Sequence, residues 1–197
     1  MSEVGWSAAL RAIADALAGL GRPYALVGGV ATGARTQPRF TADVDVAVAV
    51  ASDVEFEQLI FALTSTAYQV TATVEHRSAG RLATARLVSP SGVVVDLIGA
   101  SCGIEAEIVA RSEPLLIRGA GTVPVARAEE LLAMKVLSMT ERRFQDRSDA
   151  QNLIAMNPTL DLAVVRANLT LITERGFARG QDLMAKLEAV LAAVRDE

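Results

Sequence analysis

The stretch Tyr24-Ala-Leu-Val-Gly-Gly-Val-Ala-Thr-Gly-Ala-Arg-Thr-Gln-Pro-Arg-Phe-Thr-Ala-Asp-Val-Asp-Val-Ala-Val48 decides how this chain is read. Tyr24 to Val27 is a short apolar run that enters a tight turn at Gly28-Gly29, and Val30 to Arg35 follows with helical character. Gln37-Pro38-Arg39-Phe40-Thr41 reads as a loop. Asp43 to Val50 then alternates Asp and Val and reads as a strand. Asp43 and Asp45 are two apart, so a strand points both carboxylates to one face. Two like charges on an apolar strand repel each other and lose hydration unless something neutralises them. A divalent cation does so, and a cation beside a glycine-lined turn suggests a bound nucleoside triphosphate.

Outward from this stretch, Trp6 to Leu20 has apolar residues at helical spacing and stops at Gly21-Arg22-Pro23. Ser52-Asp53 caps a helix predicted from Val54 to about Leu63, with Glu55 in its first turn. Tyr68 to Val74, Leu82 to Val88 and Val93 to Ile98 are strand-like, and Ser89-Pro90-Ser91-Gly92 joins the last two as a hairpin. Ile104 to Arg111 reads as a short helix. Leu115 to Ile117 and Val123 to Val125 read as small edge strands, Pro124 fitting an edge. From Arg127 onward the pattern is helical: Ala128 to Leu137, Phe144 to Ile154, Leu160 to Glu174 and Gln181 to Val194, with breaks at Asn157-Pro158 and Gly176. Strands do not simply alternate with long helices. The expected fold is therefore α/β (α+β) with a mixed sheet, residues 1–126, followed by a C-terminal helical bundle, residues 127–197.

Of the 197 residues, 51% are hydrophobic, ample for a core. No apolar run approaches the roughly 20 residues needed to cross a bilayer, and the N-terminus does not read as a secretory signal. Cys102 is the single cysteine, which excludes an internal disulfide framework and fits a reducing cytoplasm. The formal net charge of −4 argues against a general nucleic-acid coat but not against a local basic groove. Lysine is scarce, with only Lys135 and Lys186.

Asp96 interrupts the valine-rich run Val93-Val94-Val95-Asp96-Leu97-Ile98. A strand carboxylate there needs a partner; if its strand lies beside that of Asp43, it becomes a third metal ligand or a base at the same metal, and otherwise it faces solvent at a strand end. Gly28 and Gly29 allow close backbone approach, and the following helix can aim N–H groups at phosphate. Arg39 and Thr41 lie in the loop before the aspartates, where Arg39 can fork onto a phosphate or stay solvated. Lys135, flanked by Met134, Val136 and Leu137, either snorkels to water or supplies charge to a triphosphate. Asp146 and Asp149 share a helix face, where they can orient Arg142 or Arg143, reach the metal site, or form surface ion pairs. His76, the only histidine, reads as a surface loop residue, and Cys102 as structural.

Taken in order, Gly28-Gly29, Arg39-x-Thr41-x-Asp43-x-Asp45, the isolated Asp96, Leu131-x-x-Met134-Lys135 and Asp146-x-x-Asp149 resemble the AbiEii/AbiGii-type toxin family, minimal nucleotidyltransferases with a DNA polymerase beta-like catalytic fold. The resemblance runs from about Tyr24 to Leu153. It implies Gly28 and Gly29 at the phosphate-side turn, Asp43, Asp45 and Asp96 as the metal carboxylates of a two-metal Mg²⁺ site, Lys135 near the triphosphate, and Asp146 with Asp149 in the late helical motif. Gln145 stands where that motif usually carries Lys or Arg, and Gly28-Gly29 replaces the Gly-Ser of the wider superfamily. The implied reaction moves a nucleoside monophosphate from an NTP to a hydroxyl. The implied acceptor is RNA, such as a tRNA end, in a toxin–antitoxin setting with a partner antitoxin and no membrane. Two other readings stay open: a small hydroxylated acceptor such as an aminoglycoside, and a catalytically silent nucleotide- or partner-binding module.

Overall fold

The computed structural model describes residues 3–38, 41–140 and 143–195. The chain opens with helix α1 (Glu3–Gly19), then strand β1 (Tyr24–Leu26), helix α2 (Gly28–Arg35) and strand β2 (Val44–Val48). Helix α3 (Asp53–Thr64) follows, capped by the Ser52 hydroxyl, which accepts from the Glu55 N–H. Strands β3 (Gln69–His76), β4 (Arg81–Val88) and β5 (Val94–Ile98) form a meander, and helix α4 (Glu105–Arg111) leads to the hairpin β6 (Glu113–Ile117) and β7 (Gly121–Val125). Four helices complete the chain: α5 (Ala128–Ser138), α6 (Phe144–Met156), α7 (Leu162–Glu174) and α8 (Leu183–Arg195). The expected α/β portion and the helical bundle behind it are both present.

Among the described residues one sheet runs in the order β3-β4-β5-β2-β1-β7-β6. It is mixed. β2 pairs parallel with β5 and β1 parallel with β7, while β1–β2, β3–β4, β4–β5 and β6–β7 are antiparallel. The expectation that both small strands after α4 are edges holds for β6 alone, since β7 sits between β1 and β6. Pro124 is tolerated there because the β1–β7 ladder pairs only Leu26 with Val125, so Pro124 faces no β1 ladder partner.

The alternation of the central strands divides the sheet into two faces. Val44, Val46 and Val48 of β2, Val95 and Leu97 of β5, and Ala85 and Leu87 of β4 are buried together in the core. Burying side chains of this size stabilises by roughly 1.5–3 kcal/mol each. The residues between them point the other way. In register across three neighbouring strands they read Arg86, Asp96 and Asp45. The apolar periodicity thus fixes the strand orientation, and the interrupting charges are pushed as one lateral row onto the opposite face. Helices α5 and α6 bring Lys135 and Asp146 to the cleft on that side. Among the described residues no helix is long and apolar enough to cross a membrane.

Candidate active site

Gly28 begins α2 directly beneath the row. Its φ of +65° lies in the left-handed region, and a Cβ there would stand 1.9 Å from Asp45 Oδ2. Backbone conformation and space both demand glycine at this position. The Gly29 N–H donates to the Asp45 carboxylate, and the Val27 N–H donates to the Asp45 carbonyl (2.9 Å). The Thr32 hydroxyl donates to the Gly28 carbonyl (2.8 Å), holding the first turn of α2. That helix has no acidic residue in its own first turn and no side-chain cap at Val27, so the charge its N-terminus meets is the Asp45 carboxylate from β2.

A cleft of about 950 Å³ opens over these groups, lined in part by Gly28, Gly29, Thr41, Asp43, Asp45 and Lys135. The Thr41 hydroxyl donates to the Asp43 carbonyl (3.0 Å), folding the loop so that Asp43 meets Asp45 at the cleft floor. Burial, then the charges of Asp96 and Asp43, push the Asp45 carboxyl up to about 6 against the opposing pull of Lys135. Asp96 is the cross-strand neighbour of Asp45, but both its oxygens are taken by the Arg86 guanidinium, at 2.8 and 2.7 Å. Among the described residues no three acidic, histidine or cysteine side chains already stand as a metal-ligand set. The donor chemistry still fits a hard cation: Asp43 and Asp45 offer carboxylate oxygens from one stretch of chain, and Asp45 has no ion pair of its own among the described residues. Asp96 fits once Arg86 releases it.

Lys135 is buried and does not snorkel. Its Nζ lies 2.8 Å from Asp146 Oδ1 and 2.7 Å from Asp149 Oδ2, which pins α5 to α6. Asp149 is almost wholly buried, and the Gln145 amide donates to its Oδ1 (2.8 Å). Gln145 is therefore a working member of this cluster, satisfying a lone pair that Lys135 leaves open. Arg143 lies 3.5 Å from Asp146 Oδ2. Arg39 and Arg142 lie outside the described residues.

Several residues of the cleft were not found by sequence reasoning. His76 is the last residue of β3 and is buried, not a surface loop residue as expected; its ring packs on Phe177 at 4.6 Å between centroids, and its Nδ1 accepts from the Ala79 N–H. Burial, and then the nearby Arg179, lower its pKa. Phe177 comes from the α7–α8 connection, so nothing local announced it. Cys102 is buried as expected, with its backbone N–H and thiol both turned on Glu105 Oε1. Arg77, Arg143 and Arg179 also line the cleft.

Comparison with known proteins settles the family. The model of the nucleotidyl transferase AbiEii toxin family of type IV toxin–antitoxin systems matches residues 10–183. The chain belongs to that family. It is a nucleotidyltransferase of the toxin–antitoxin kind. The crystal structure of an antigenic nucleotidyltransferase-like protein from Paracoccidioides brasiliensis is similar at 21% identity and a TM-score of 0.52, covering 96% of this chain and 94% of that one. The solution structure of the antibiotic-resistance factor ANT(2'')-Ia is similar at 13% identity and a TM-score of 0.53, covering 88% and 94%. The lincosamide antibiotic adenylyltransferase LnuA, in its lincomycin-bound crystal structure, gives 15% and 0.50, covering 79% and 98%. At these identities the likeness is one of fold. A search of curated protein sequences finds no match.

Proposed function

We propose that this AbiEii-family protein transfers a nucleoside monophosphate from an NTP to a hydroxyl of RNA, a tRNA end being the suited acceptor, with Mg²⁺ as the metal and a cognate antitoxin as its partner. The observation that carries the chemistry is Asp45: a carboxylate lodged against the Gly28-Gly29 turn, beside Asp43 and Asp96, pushed up to about 6 by burial and then by those two charges. Such a cluster is costly to keep without a cation. Asp43, Asp45 and Asp96 would hold the two Mg²⁺ ions, which supply charge stabilisation to the attacking and leaving oxygens. The N–H groups of the first turn of α2 receive triphosphate oxygens, and Gly28 keeps the backbone open to them. Lys135, fixed by Asp146 and Asp149, places a positive charge on the same side of the cleft for the departing phosphates. Asp96 is the group in the row that takes the acceptor's proton. Thr41 lines the nucleotide side of the cleft, and Arg39 is the residue whose guanidinium suits a phosphate there. Residues 1–126 carry the aspartates and the glycine turn, residues 127–197 pack on them and add Lys135, and the protein acts in the cytoplasm.

The acceptor reading rests on Arg77, Arg143 and Arg179, which line the same cleft as Asp43 and Asp45. Arginines in the lining suit a phosphate backbone and repel a polycationic acceptor such as an aminoglycoside. The test is incubation with each α-labelled NTP, Mg²⁺ and total RNA, with Asp45→Asn as control. Label on RNA 3′ ends with wild type and none with the variant is the expected result. Label found only on added small hydroxylated compounds would overturn the RNA acceptor, and no transfer at all would overturn the catalytic reading.

A further inference from the structure

Strand β4 supplies the acidic row with a cation of its own. Arg86 is the register partner of Asp96, which is in turn the partner of Asp45. Its Nε donates to Asp96 Oδ1 (2.8 Å) and its Nη2 to Asp96 Oδ2 (2.7 Å), a fork that engages both oxygens. The same Nη2 stands 3.6 Å from Asp43 Oδ2, so one nitrogen bridges two of the three carboxylates. A guanidinium cannot shed its charge, and its planar donors match carboxylate geometry closely. It therefore occupies lone pairs that a cation bridging Asp43 and Asp96 needs. The Arg86 side chain is also 47% exposed, against 14% for Asp96. The carboxylate is fixed by the sheet, whereas the arginine has open solvent to move into.

We propose that Arg86 is an internal counter-ion of the aspartate row: it draws Asp96 and Asp43 together in the metal-free protein and competes with the divalent cation for them, so that metal binding displaces its guanidinium. This rests on Asp43, Asp45 and Asp96 forming the metal site. Arg86 is a positioning residue in this account. It keeps the carboxylates from repelling each other apart while the site is empty, and it raises the metal concentration at which the cation takes over. A triphosphate that arrives with its own phosphate oxygens adds ligands for the metal that Arg86 does not contest, so nucleotide and metal bind better together than either does alone.

The experiment measures Mn²⁺ binding to the full chain without nucleotide, from the paramagnetic resonance signal of free Mn²⁺, alongside melting curves in EDTA. Wild type, Arg86→Gln, Arg86→Lys and Asp45→Asn are compared. We expect a Mn²⁺ site that Asp45→Asn removes and that Arg86→Gln tightens by about tenfold or more, since a full charge a few ångströms away is withdrawn. Arg86→Gln should also melt lower in EDTA and recover on adding Mn²⁺. Arg86→Lys keeps the charge without the fork and should fall between the two. If Arg86→Gln does not fold, Arg86→Lys decides alone, binding more tightly than wild type if the proposal holds. Equal or weaker Mn²⁺ binding in the arginine variants, with the site still lost in Asp45→Asn, overturns the counter-ion and leaves the metal site standing. No Asp45-dependent binding in wild type or in either arginine variant overturns both.

Discussion

Asp45→Asn should make the metal-free protein more stable while removing its activity. The carboxyl is held up to about 6 in the folded protein, against an ordinary value of 3.8. A shift of roughly two units corresponds to about 3 kcal/mol of cost for ionising Asp45 within the fold. Asp45 is partly exposed toward the cleft, and solvent screening reduces this to about 1–3 kcal/mol. Asparagine is close in shape, keeps an oxygen for the Gly29 N–H and turns an amide donor toward Asp43 and Asp96. In a domain of this size that gain raises Tm by roughly 2–10 °C. The pH dependence follows from the direction of the shift. Because the folded pKa lies above the unfolded one, the cost is fully present above about pH 6 and disappears as pH falls below about 3.8. Melting curves in EDTA from pH 4 to pH 8 check this: the variant should gain most at pH 7–8 and converge on wild type near pH 4. Adding Mg²⁺ should raise the melting point of wild type and leave Asp45→Asn unmoved. A variant that melts at or below wild type at pH 7.5 in EDTA would show that the row is not under electrostatic load, and the argument for a cation there would lose its basis.

Three further outcomes follow from the packing. Gly28→Ala forces a Cβ into Asp45 at a left-handed φ of +65°, so urea unfolding should show a loss of about 2 kcal/mol or more together with lost transfer activity. Lys135→Met leaves the buried Asp149 and its neighbour Asp146 without their shared cation, costing about 3–5 kcal/mol at neutral pH by the same measurement. His76→Phe should remove a loss of stability that wild type shows as pH falls through about 6.5. The buried ring resists protonation in the fold, so its lowered pKa favours the unfolded chain in acid. Melting points from pH 5 to pH 8 read it directly.

How far the sequence carried this picture depends on the range of the interaction. β1, α2, β2 and the later helices were legible because glycine, proline and apolar period are local signals. Asp43, Asp45 and Lys135 were singled out because each breaks an apolar pattern. Arg86 breaks one too, inside Leu82-Ala-Thr-Ala-Arg-Leu-Val88, yet it was passed over. The signal was available: a hairpin turning at Ser89-Pro90-Ser91-Gly92 pairs Val88 with Val94, which carries Arg86 opposite Asp96. His76 was misread because its cover, Phe177, is about a hundred positions away in sequence. Gln145 was read against a family pattern, whereas its function here is fixed by Asp149 one helical turn on.

The charges of the cleft also explain why the row is built across three strands and not along one. Carboxylates placed along a single strand would have to share whatever cation that strand can reach. Across the cleft the acids share cations from two different elements, Asp43 and Asp96 meeting Arg86 and the α6 pair meeting Lys135. Asp96 faces Arg86 from β4, and Asp146 with Asp149 faces Lys135 from α5. Asp45, in the middle, has the Gly29 N–H and the more distant pull of Lys135 and Arg86 but no ion pair of its own among the described residues, and its carboxyl is the one pushed upward. The ends of the arrangement are neutralised and its centre is not. A fold that needed these acids only for stability would have closed the centre with another arginine or with an apolar side chain, either of which is less costly than an uncompensated carboxylate. The deficit sits where Gly28 leaves room for nothing bulkier than Asp45 itself, and where the first turn of α2 opens onto the cleft. The electrostatic cost is thus concentrated at the point where a cation and a phosphate would arrive together.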